Sequence, residues 1–198
     1  MKKEIWIREN WFPNHIAKIE QHGDIQVIKW YNESSSMYSM KFLLDGNRMH
    51  ITGDVGTASF WFTEKSSVHS QSKYELGYFA EKLECMKGDI YQFNDELAYE
   101  YLLEMKKELE EKEEDLYAEK WTYDKDTLKS LLHLAQYCCS TEEWKQIVYN
   151  YEDFFFHLDQ DWYEWAFDIG KEYSNRLLGY LVAIKMISEY LTQESEKK

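Results

Sequence analysis

The chain has 198 residues, of which 44% are hydrophobic and 17% aromatic, so it can bury a core and is no disordered polymer despite 30% charged residues. Its formal net charge of -14 argues against direct binding of nucleic-acid backbones, which requires a basic face. The charge is unevenly placed: residues 1–92 hold 11 Lys/Arg and 12 Asp/Glu, whereas residues 93–198 hold 12 and 25.

The first element is expected to be a helix around Asn14 to Gln21, with Pro13 at its first turn and Gly23 ending it. From Ile25 the period changes to two, and strands are expected at 25–31, 37–44, 48–53 and 57–63. Asp45-Gly46 is a two-residue hairpin signal that pairs Leu44 with Asn47, Phe42 with Met49 and Met40 with Ile51. That register puts the apolar side chains on one face and Ser39, Lys41, His50 and Thr52 on the other. Gly53-Asp54-Val55-Gly56 then reads as the next turn, and a four-stranded antiparallel meander results.

Beyond a polar connector the period becomes helical. Ser72 with Glu75 reads as a capping box, and Gly88 suits the far end of that helix. Asn94 should cap a long helix to about Tyr117, with Leu97, Tyr101, Met105 and Leu109 as its apolar stripe. Glu96, Glu100, Glu104 and Glu108 stack at i, i+4 on its other side. Asp124 or Asp126 should start a helix burying Leu128, Leu131, Leu132 and Ala135, and Ser140 with Glu143 should cap another. The last helix is expected from Asp168 or Lys171 to Leu191. The fold class is therefore α+β, divided near residues 88–94. Residues 1–92 form an antiparallel-sheet domain with a flanking helix, and residues 93–198 an acidic helical domain.

Asn150 to Gly170 carries Tyr151, Phe154, Phe155, Phe156, Trp162, Tyr163, Trp165 and Phe167 among Glu152, Asp153, Asp159, Asp161, Glu164 and Asp168. No Lys or Arg falls between Lys145 and Lys171, so these carboxylates are expected to raise one another's pKa and to repel. Two readings fit: a surface offered to a positively charged partner, or a buried aromatic face with a solvated acidic back. The glutamate ladder repeats at about 6 Å per step, close to the spacing of phosphates along a strand.

His157, Asp159 and Asp161, with Glu164 and Asp168, are the ligand types for magnesium, manganese or zinc, and would serve a metal-dependent nuclease. His133, Cys138 and Cys139 lack a second ligand pair at zinc spacing and read as buried helix residues. No nucleophile motif, phosphate-binding loop or dinucleotide fingerprint occurs, so no catalytic residue and no cofactor is assigned. The three cysteines cannot all pair, which points to free thiols in a reducing cytoplasm. The N-terminal residues lack an apolar run long enough for a signal peptide, and the apolar window Leu177 to Ile187 is too short to span a membrane.

The run Asn10-Trp11-Phe12, His15-Ile16-Ala17-Lys18-Ile19-Glu20, Ile25-Gln26-Val27-Ile28 and Gly53-Asp54-Val55-Gly56-Thr57-Ala58 resembles small uncharacterised proteins of bacteriophages and mobile elements, over about the first 60 to 85 residues. That resemblance implies a counter-defence role in the host cytoplasm, including that of an anti-CRISPR protein. The expectation is a non-catalytic inhibitor whose acidic surface imitates nucleic acid in the basic channel of an RNA-guided CRISPR nuclease. Its partner surface would be Glu152, Asp153, Asp159, Asp161, Glu164, Asp168 and the ladder Glu96, Glu100, Glu104 and Glu108, with Trp162 and Trp165 as anchors. The competing readings are the metal-dependent nuclease and a structural module kept soluble by its charge.

Overall fold

Strand periodicity begins earlier than expected, at Ile16. In the computed structural model, which describes residues 2–114 and 123–196, α1 covers Lys2–Asn10 and β1 covers Ile16–His22. The helix expected at Asn14 to Gln21 is absent, because that segment pairs along its whole length with β2 (Ile25–Asn32). Pro13 lies in the connecting turn. Gly23, at φ +61°, is the first central residue of a two-residue β1–β2 loop, a position that favours glycine.

β3 (Ser35–Asp45), β4 (Arg48–Gly53) and β5 (Ala58–Trp61) follow at the expected places. The hairpin register differs by two residues: Leu44 faces Met49, Phe42 faces Ile51 and Met40 faces Gly53. The loop is Gly46-Asn47, with Gly46 at φ +56° in its first central position and Asn47 at negative φ, the pattern of a type II′ rather than a type I′ turn. A shift of two keeps every side chain on its face. Met40, Phe42, Met49 and Ile51 are accordingly all buried.

The expected capping box at Ser72 and Glu75 does not form. The Ser72 hydroxyl donates to the His69 carbonyl at the end of α2 (Val68–Gln71), and a second short helix, α3, spans Leu76–Glu81. The chain then returns to the sheet as β6 (Leu83–Met86), paired with β5, so the meander has six strands, not four, in sequence order. Short elements of this kind leave little periodicity to read.

Two units emerge: residues 1–90 with 174–198, and residues 91–173. The boundary near residues 88–94 is therefore crossed at Tyr91, but the chain also crosses back at Ser174. The last helix, α8, runs Asn175–Glu196 and joins the sheet unit, not the acidic one. Its residues Leu177 to Ile184 are buried without interruption, because α1, α2, α3 and β1 all pack against it. Arg8 grips Glu189 with two hydrogen bonds of 2.8 and 2.7 Å, and Lys185 reaches Glu4 at 2.6 Å, tying α1 to α8. No described helix is long and apolar enough to cross a membrane.

The second unit contains β7 (Tyr91–Phe93) paired with β8 (Lys171–Tyr173), and the helices α4 (Asp95–Glu114), α5 (Lys125–Tyr137), α6 (Thr141–Asn150) and α7 (Glu152–Leu158). Asn94 caps α4 through the Leu97 N–H, Asp124 caps α5, and Ser140 caps α6, as expected. The expected end of α4 near Tyr117 lies outside the described residues. The buried stripe of α4 is Ala98, Leu102 and Leu109, whereas Leu97 and Tyr101 are exposed. Leu109 is buried and Met105 packs on the core, as expected; only in the first two turns do Ala98 and Leu102 take the inward places expected for Leu97 and Tyr101, with Ala98 close against Gly170.

Candidate functional site

Of 37 Asp/Glu and 23 Lys/Arg in the chain, residues 91–173 hold 22 and 8; the sheet unit holds 15 of each. The net charge of -14 thus belongs entirely to one unit. Within that unit, α7 turns Phe154 and Phe155 inward and leaves Glu152, Asp153, Phe156 and His157 exposed. Two single-turn 3-10 segments follow, Trp162–Glu164 and Ala166–Asp168.

Asp159, at the end of α7, organises the first of them. Its carboxylate accepts from the Asp161 N–H at 2.9 Å and from the Trp165 indole N–H at 3.0 Å. These bonds, the backbone one first, hold its pKa below the usual carboxylate range, opposite to the rise expected from crowded like charges. The indole of the buried Trp144 donates to the Ala166 carbonyl at 2.9 Å and fixes the second 3-10 turn upon α6. Asp168 meets Lys171 at 2.8 Å, just beyond the cation-free stretch.

All six carboxylates of the stretch and all four of the ladder are exposed. Trp162 and Trp165 are not free anchors. They are half-buried on the unit's own core, against Phe155 at 6.1 and 5.7 Å. The rings that do reach solvent are Phe156, 58% exposed, and Tyr163, 57% exposed. Their placement was legible in principle: Phe156 shares a helical face with Glu152 and Asp153, four and three residues away.

Tertiary structure joins the ladder to the stretch. Tyr101 of α4 lies 6.4 Å, ring to ring, from Trp165, and its hydroxyl pKa is raised by burial, then by Glu108 and Glu104. Asp159, Asp161, Trp165 and the middle of the ladder therefore share one surface. Tyr163 lies on it too, its pKa raised mainly by Asp161 and Glu164. Glu152 is exposed in the first turn of α7.

Asp153 and His157 line a different feature, an open groove of about 630 Å³ shared with Tyr123, Asp124, Thr127 and Tyr151. Asp159 and Asp161 do not line this groove. Among the described residues no group of three or more His, Cys, Asp or Glu converges as a metal site would. His133 and Cys139 are exposed, contrary to the expectation of buried helix residues; only Cys138 is buried, which pushes its thiol up to about 11. Comparison with known proteins finds no matching family model, no matching curated protein and no matching solved structure.

Proposed function

We propose that the chain is a non-catalytic binding protein whose unit 91–173 occupies the basic nucleic-acid channel of a partner, an RNA-guided CRISPR nuclease being the target implied by the N-terminal resemblance. The observation that supports this reading is the partition of charge: a neutral sheet unit and an acidic unit carrying the whole net charge. Carboxylates held on short, hydrogen-bonded turns are pre-organised, so little side-chain freedom is lost on docking. Phe156 and Tyr163 would supply the apolar contacts that charge alone does not.

The test is inhibition of target cleavage by a panel of RNA-guided nucleases. Asp161→Lys with Glu164→Lys is compared with Glu110→Lys with Glu111→Lys, which changes the net charge equally on the exposed side of α4. Specific mimicry predicts loss of inhibition from the first pair at least about tenfold greater than from the second, and faster dissociation. No inhibition by the wild-type chain, or equal losses from both pairs, would remove this reading. Degradation of nucleic acid by the chain alone with magnesium or manganese would favour the nuclease instead.

A further inference from the structure

The outer face of the sheet carries an arrangement that folding alone disfavours. Lys18 of β1 stands directly opposite Lys29 of β2, and Lys29 directly opposite Lys41 of β3; the row ends at Thr52 of β4. Directly opposed side chains on neighbouring strands have Cβ atoms about 4.5–5.5 Å apart, and like charges there are destabilising. A single carboxylate serves the row: Glu20 meets Lys29 at 2.8 Å and Lys18 at 3.5 Å. Among the described residues no carboxylate lies within 4.0 Å of Lys41.

The three lysines border a concavity of about 420 Å³, together with Tyr31 and Thr52. Tyr31 is half-buried and Thr52 exposed, and neither side chain has a hydrogen bond within the described structure. The core lies on the opposite face, where Ile28 and Phe42 are buried, and the buried Trp30 and Met40 also border the concavity. The lysine row is therefore not a by-product of packing.

We infer that this concavity binds a compact polyanion, a nucleoside polyphosphate or a molecule of that size and charge. Three ammonium groups and one carboxylate leave a local charge of +2. Lysine suits phosphate as a mobile point charge, and the Thr52 hydroxyl adds a donor at the end of the row. The Tyr31 ring offers a flat surface for a base. The volume falls within the usual range of small-molecule sites, about 300–1,000 Å³. A nucleic-acid polymer is disfavoured because it extends beyond the site and meets the repulsion of a chain of net charge -14. A small anion bound among the lysines lies within one screening length of about 8–10 Å. This site is on the neutral unit and does not depend on the acidic unit's role.

The experiment is calorimetric titration of the full chain with tripolyphosphate, ATP and oligothymidylate, without divalent cations. Tripolyphosphate and ATP should bind, ATP more tightly. Lys41→Gln should weaken both by about tenfold, as expected for removing one charged hydrogen-bond donor. Glu20→Gln should tighten both several-fold, by releasing Lys18 and Lys29. Lys41→Gln should also raise the melting temperature of the free protein, since it relieves an opposed like-charge pair; this shows that the weaker binding is not loss of fold. Absence of binding at millimolar tripolyphosphate and ATP would overturn the inference. Affinities unmoved by both substitutions, or oligothymidylate binding more tightly than ATP, would do so as well.

Discussion

His15 is the residue whose setting most constrains the solution behaviour of the sheet unit. It is 8% exposed, its ring lies 5.3 Å from Phe12 and 5.4 Å from Trp30, and its Nε2 has no hydrogen-bond partner. Burial holds the imidazole below its ordinary pKa of 6.5, so it is neutral when folded and takes a proton more readily when unfolded. Its folded pKa being the lower one, stability is whole above the unfolded value and declines as pH falls below it, until the folded value is passed. The melting temperature should therefore drop as pH falls below about 6.5, and His15→Phe should reduce that drop. The carboxylates held low, Glu20, Asp124, Asp159 and Glu189, lose their contribution only further down, below about pH 4.5. An identical pH response in wild type and variant would show that His15 is already hydrated in the native state.

Among the elements, α6 does most to seat the acidic surface. Ser140 accepts from the Glu143 N–H at 3.1 Å, and the Glu143 carboxylate accepts from the Cys139 N–H at 2.7 Å. The reciprocal bond thus falls one residue earlier than in the usual capping box. Because Trp144 of this helix holds the 166–168 turn, weakening the cap should loosen that turn as well. Ser140→Ala should cost about 1 kcal/mol in urea unfolding, seen as a lower midpoint at unchanged slope. An unchanged midpoint would mean that water replaces the hydroxyl at no loss.

At the scale of the whole molecule the dominant fact is the concentration of net charge in residues 91–173. Exposed like charges repel through water, and salt screens them with a length of about 30 Å at 0.01 M and about 8 Å at 0.15 M. Raising sodium chloride across that range should increase amide hydrogen-exchange protection in residues 91–173 more than in the sheet unit. Equal responses would show that local pairs such as Lys171 with Asp168 already neutralise the effect. The experiment bears on the acidic surface without requiring its partner.

The sequence by itself determined what local chemistry governs. The strands from Ile25 to Trp61, the side-chain sorting of Met40, Phe42, Met49 and Ile51, and the caps Asn94, Asp124 and Ser140 all depend on neighbours a few residues away. The concentration of carboxylates at 152–168 was also legible, since charge needs no fold to be counted. Tertiary structure alone decided the rest. β1 is a strand because β2 is there to pair with it, and β6 extends the sheet because β5 still had a free edge. Trp162 and Trp165 turned inward because aromatic area is stabilised most by contact with Phe155 and its neighbours, leaving Phe156 and Tyr163 outside. The lysine row became visible only with the register, because Lys18, Lys29 and Lys41 are eleven and twelve residues apart in the chain and adjacent only across three strands.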